Sequence, residues 1–146
     1  MCVVNLNHYY QVKMETLYET DKLVVSYDSA TNTLITRWSM PEDVDLDLYK
    51  AEFRRYNDYI LEKRPDKIFA DTIHNRIPIT PDLQEWINTV ISDTYQAVGL
   101  KKLAVLLSTD FYAALSIQQT IEDDTKAKYK TAFFEDETKA FEWLNK

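Results

Sequence analysis

The chain has 146 residues, 45% hydrophobic and 28% charged, which fits one globular domain burying about 68–70% of its unfolded surface and excludes a disordered polymer. Its formal net charge is −7 and its pI about 4.8, and no run of lysine and arginine exceeds a pair, so neither nucleic acid nor an anionic membrane surface is an expected partner. Cys2 is the only cysteine and Gly99 the only glycine, which excludes an internal disulfide, a cysteine-based zinc centre, and the glycine-rich loops of Walker, Rossmann and nucleophile-elbow sites.

The start, Met1 to His8, lacks a basic region and an apolar core of the signal-peptide kind, and no stretch approaches the ~20 apolar residues of a membrane span. A cytoplasmic protein is expected. Residues 1–14 show no clear period and read as a tail or an extra edge strand, with residues 15–146 forming the domain proper. Thr16 to Thr20 reads as a short strand. Leu23, Val25 and Tyr27, then Leu34, Thr36 and Trp38, alternate with their neighbours on either side of the turn-forming Ser29-Ala30-Thr31-Asn32, predicting a β-hairpin.

A helix is predicted from Met40-Pro41-Glu42-Asp43, with Ser39 as cap and Leu46, Tyr49, Phe53, Tyr56 and Ile60 as its apolar stripe, stopping before Pro65. Asp43, Asp45 and Asp47 have calcium-loop spacing, but Leu48 and Arg54 stand where that loop needs glycine and glutamate, so they read as a solvated helix start. Ile68-Phe69-Ala70 is a strand ending on Asp71, followed by the polar loop Thr72 to Ile79. Thr80-Pro81 caps and opens a second helix carrying Leu83, Trp86, Ile87, Val90, Ile91 and Thr94 and ending at Gly99, a left-handed C′ position. Leu103 to Leu107 is an apolar run expected to be buried on both faces. Ser108-Thr109-Asp110 offers caps for a third helix with Phe111, Ala114, Ile117 and Ile121 on one side, and Glu122-Asp123-Asp124 near its end reads as solvated. Thr131 to Phe134 is a last strand, and Asp136 caps a final helix with Ala140, Phe141 and Leu144 inward. The order β-β-β-α-β-α-β-α-β-α predicts a single-domain α/β fold with a mixed sheet.

A strand ending on an acid, a loop and a capped helix together make a binding face, and the candidates are Asp71, Thr72, His74, Arg76 and Thr80. Asp71 either orients a ligand or bonds to loop amides. His74 has no cysteine or second histidine beside it for a metal, nor a serine or cysteine motif for nucleophilic catalysis. Arg76 suits a carboxylate or phosphate ligand, or a local salt bridge. Thr80 is a helix cap, and a phosphate there would meet the amides of a helix N-terminus, although Asp82 opposes it. Tyr49, Tyr56 and Tyr59 belong to the core or line an apolar cavity.

Trp38 closing the hairpin, Asp71 closing the central strand, Pro81 to Trp86, Lys102 to Leu106, and Phe133-Phe134 leading to Ala140-Phe141-Glu142-Trp143-Leu144 together resemble the STAS/SEC14-like group of small bacterial domains, across roughly residues 15–146. That resemblance implies the fold of the anti-sigma-factor antagonists (SpoIIAA-like). In those proteins a serine or threonine about nine positions after the aspartate is phosphorylated; here that position is Thr80, although Ile79, Pro81 and Asp82 depart from the pattern around it. The expectation is a non-enzymatic regulatory or protein-binding domain, or a homodimer, acting through the Asp71–Thr80 loop, without a cofactor. The alternative is a SEC14-like carrier of a lipid or other small apolar ligand beneath the long helix. An enzyme using Asp71 and His74 has the least support, since the sequence offers no convergent acid–base pair of motif strength.

Overall fold

The computed structural model describes residues 14–112 and 128–146. They form six strands, β1 (Met14–Glu19), β2 (Leu23–Asp28), β3 (Thr33–Trp38), β4 (Lys67–Asp71), β5 (Lys102–Leu106) and β6 (Lys130–Phe134). Three helices are described over their length: α1 (Leu46–Lys63), α2 (Pro81–Val98) and α3 (Glu137–Leu144). A further helical turn covers 109–112 after β5, and the rest of the predicted third helix, with Ala114, Ile117, Ile121 and Glu122 to Asp124, lies outside the described residues, as does most of the N-terminal segment.

The strands lie in sequence order across one mixed sheet, β1-β2-β3 antiparallel and β3-β4-β5-β6 parallel. The hairpin turns on Asn32, whose φ of 51° is a left-handed conformation that asparagine tolerates. Between β3 and β4 and between β4 and β5 the chain crosses over through α1 and α2. Both pack on one face, where Leu23, Val25, Leu34, Trp38 and Ile68 meet Tyr49, Phe53, Tyr56, Ile60, Leu83, Ile91 and Tyr95. The other face carries Ile35, Phe69, Ala104 and Leu106 beneath Ala140 and Leu144 of α3.

One helix boundary differs from the sequence reading. The first helix opens at Leu46 rather than at Met40, because Asp45 caps it by accepting from the Asp47 amide (3.2 Å), while Met40 is fully buried and tied by its backbone to the 71–80 loop. Leu46, at the edge of the apolar stripe, is 47% exposed. Phe111 is also outside the core, at 70% exposed. At the other end of α1, Arg64 takes a left-handed conformation (φ 50°) before Pro65, which is why the helix stops there. Gly99 does the same for α2 at φ 69°, followed by buried Leu100.

Candidate functional site

The site lies at the carboxyl ends of β3 and β4, the edge of a parallel sheet where α/β folds bring loops together. The parallel register sets Arg37 beside Asp71. Alternation along β3 sends Leu34, Thr36 and Trp38 to the α1/α2 side, so Arg37 emerges on the α3 side. There its Nη1 donates to Asp71 Oδ2 and to Glu137 Oε1, each at 2.8 Å, while the guanidinium sits 5.7 Å from the Phe69 ring centre. The Glu137 hydrogen bond, and then that of Asp71, raise the Arg37 pKa further against the opposing effect of burial, so this cation is permanent. Asp71 is the least exposed member, at 15% of its side chain, against 43% for Arg37 and 46% for Glu137.

Asp71 also begins the loop, its Oδ1 accepting from the Ile73 amide at 3.1 Å in an Asx turn. Of the two alternatives read from the sequence for this residue, the bond to a loop amide is made, and Asp71 also pairs with Arg37, which was not among the candidates. Thr72 ties the loop to the next strand, its amide (2.9 Å) and its Oγ1 (2.8 Å) both donating to the Leu106 carbonyl. On the other side, Asn75 Oδ1 accepts from the Met40 amide (3.1 Å), and the Arg76 amide donates to the Met40 carbonyl (2.7 Å). Ile77 packs against the core. The loop is therefore braced from beneath at four points.

Its outward side chains are free of such ties. His74 and Arg76 are exposed, and among the described residues the Arg76 guanidinium forms no ion pair, so the local salt bridge weighed for it is not made. Ile79 is 46% exposed beside them. Thr80 is the N-cap of α2, its Oγ1 accepting from the Leu83 amide at 3.3 Å, with Pro81 opening the helix. Asp71 and His74 share no hydrogen bond among the described residues, and no group of three histidine, cysteine, aspartate or glutamate side chains there is arranged to hold a metal.

The tyrosines of α1 are packed. Tyr49 and Phe53 tilt against Trp38, and the Tyr56 ring meets Trp38 edge-on with centres 5.3 Å apart. Tyr56 and Tyr95 hydroxyls bond to each other at 2.8 Å, and Tyr59 donates to the Leu17 carbonyl. Burial pushes Tyr49 up to about 12 and also raises Tyr56 and Tyr95 well above the usual tyrosine value. A recess of about 340 Å³ opens instead at the far end of α2, lined by Tyr95, Gly99, Leu100 and Tyr129 with Ser92, Gln96 and Lys128. Two members of the site, Arg37 and Glu137, were not picked out from the sequence. Arg37 breaks the apolar pattern of a buried strand next to Trp38, and that break was the available signal; nothing local to Glu137 distinguishes it. No family model matches the chain, and neither a curated protein nor a solved structure matches it.

Proposed function

We propose that this chain is a non-enzymatic binding module of the STAS type that engages a protein partner through the outward face of the Asp71–Thr80 loop. The observation that carries this reading is the contrast within the loop: Asp71, Thr72, Asn75 and the Arg76 backbone are fixed to the fold, while the exposed His74, Arg76 and Ile79 side chains have no polar partner among the described residues. A pre-ordered loop loses little conformational entropy on binding. Arginine and an exposed aliphatic side chain set next to one another suit a partner segment with a carboxylate and an apolar anchor. Against catalysis stands the commitment of the Asp71 carboxylate to Arg37 and to the Ile73 amide. In this reading Thr80 is the point where phosphorylation would act, at the mouth of α2, by exchanging a neutral cap for an anion beside Asp82.

The test is site-specific photo-crosslinking in the native host, with the probe at Ile79 and, as control, at Leu61, which is 44% exposed on α1. A protein adduct is expected from Ile79 alone and is expected to vanish in a His74→Ala/Arg76→Ala background. Equal adducts from both positions would overturn the proposal. Native mass spectrometry on the same protein addresses the carrier alternative: an apolar small molecule released on denaturation would favour it, with the recess at Tyr95 and Tyr129 as the first place to look.

A further inference from the structure

The parallel half of the sheet is electrically divided. At the amino ends of β4, β5 and β6 the register sets Lys67 beside Lys102 and Lys102 beside Lys130. Like charges directly opposite one another destabilise a sheet. Lys101, Lys128 and Lys146 stand at the same edge, so six lysines gather in a protein whose net charge is −7. Among the described residues, internal partners exist for only some of them. Asp66 pairs with Lys67 (3.5 Å) and Lys101 (3.7 Å), and Lys102 Nζ donates to the Trp143 carbonyl (2.8 Å) at the end of α3. Lys128 and Lys130 are exposed, and the Lys101 side chain is 75% exposed.

The carboxyl ends of the same three strands carry acids. Asp71, which ends β4, and Glu137 are held by Arg37, while Asp110 after β5 and Glu135 and Asp136 after β6 are exposed and form no ion pair among the described residues. A five-residue strand is about 16 Å long. That is about twice the Debye length at physiological ionic strength, ~8 Å, so the two ends of one molecule do not neutralise each other. A copy displaced along the strand axis brings the lysines of β4, β5 and β6 over the acids of the same three strands.

We propose that the chain associates head to tail with a second copy, its lysine edge docking on the acidic carboxyl-end face of the neighbour. The contact supplies carboxylate partners to Lys128 and Lys130, which have none among the described residues. It is heterologous, so it builds a series of species rather than a closed dimer. Because it rests on charge, with the net −7 opposing it, it is weak and salt-sensitive. It uses Asp110 and Glu135 rather than the His74–Ile79 side chains, and does not depend on the loop having a partner.

Sedimentation velocity of the full chain at 25 and 300 mM NaCl tests this. At low salt the weight-average mass is expected to rise above 17.2 kDa with concentration, and to return to the monomer value at high salt. Two doubly substituted variants identify the surfaces: Lys101→Gln/Lys130→Gln neutralises the edge, and Asp110→Asn/Glu135→Gln neutralises the face. Each alone should be monomeric at low salt, with native circular dichroism as the folding control. Mixed one to one, they retain one good edge and one good face, so they should form a dimer that grows no further. A wild-type monomer at every salt concentration would overturn the proposal. So would association that persists at 300 mM, or variants whose mixture stays monomeric. Binding of a polyglutamate peptide to the edge of a strictly monomeric wild type would instead assign that surface to an acidic partner protein.

Discussion

Beneath α1 and α2 the sheet is covered by interlocking rings, with Trp38 touching Tyr49, Phe53 and Tyr56 and Phe53 meeting Trp86 edge-on. Beneath α3 the cover is thinner: an eight-residue helix that buries Ala140 and Leu144 and stacks Phe141 on Phe69, with ring centres 4.5 Å apart. That helix is held at its ends by polar contacts, Glu137 to Arg37 at the start and the Trp143 carbonyl to Lys102 at the finish. Among the described residues, one face of the domain is thus secured by a large aromatic core, the other by a smaller apolar cluster whose helix is also tied at both ends by charge. Ion pairs respond to salt, pH and partners in ways that packed rings do not, so the candidate site sits where the fold is most adjustable.

The sharpest way to break this comparison is to empty each side in turn. Trp38→Ala removes the ring that three others touch and is expected to cost about 3–5 kcal/mol. Phe141→Ala, on a half-buried ring of the thinner side, is expected to cost no more than about 2 kcal/mol. Chemical denaturation of the two variants checks the order, and equal losses would show that α3 is held by packing after all.

The aromatic side also has a pH signature. Tyr49 is pushed up to about 12 by burial, and Tyr56 and Tyr95 are also raised well above the usual tyrosine value, mainly by burial. An unfolded tyrosine ionises near 10. Between pH 10 and 12 the folded chain therefore binds more protons than the unfolded one, and stability falls as pH rises through this window. The contribution is fully present below pH 10. Tyr49→Phe removes one such group, so at pH 11 it should recover about 1 kcal/mol relative to wild type, while its effect at pH 7 is much smaller. Urea midpoints at the two pH values measure the difference.

The helix caps extend the contrast. Thr80 accepts a single amide bond at 3.3 Å for the 18-residue α2, whereas Asp136 accepts from both Thr138 (2.8 Å) and Lys139 (3.4 Å) for the eight-residue α3. Replacing either by alanine is expected to cost about 1 kcal/mol. The loss should remain global for Thr80→Ala but appear as local opening of α3 for Asp136→Ala. Amide exchange separates the two outcomes.

Both caps were readable from sequence, because capping is local: a hydroxyl or carboxylate, an acid or proline, then an apolar period. The hairpin, the strand ending on Asp71 and the Gly99 stop were readable for the same reason. Local pattern misplaced the start of α1, since Met40 and Pro41 look like a helix opening until the loop at Asn75 and Arg76 holds Met40 in the core. It also passed over Arg37. Its two carboxylate partners lie 34 and 100 residues away, and only a parallel register no local signal encodes brings them together. The lysine edge escaped for the same reason, since Lys67, Lys102 and Lys130 become neighbours only when three strands align.

The smallest effect tests the charged side most directly. Both carboxylates meet Arg37 at one nitrogen, Nη1. A lysine ammonium can therefore serve the pair nearly as well, which would not hold for a forked, bidentate contact. Arg37→Ala is expected to lower global stability by only about 0.5–1 kcal/mol, because the cation and Glu137 are both substantially exposed. Its local effect should be larger. Without the tether, the first turn of α3 opens more often, and exchange should quicken at the Ala140 amide, which bonds to the Asp136 carbonyl at 3.1 Å. Arg37→Lys should keep that protection, and 0.5 M salt should erode it in wild type while leaving the α1 amides around Phe53 unchanged. If Ala140 exchanges at the same rate in all three proteins, the ion pairs contribute nothing to holding α3, and its attachment must be credited to Phe69 and Phe141 alone.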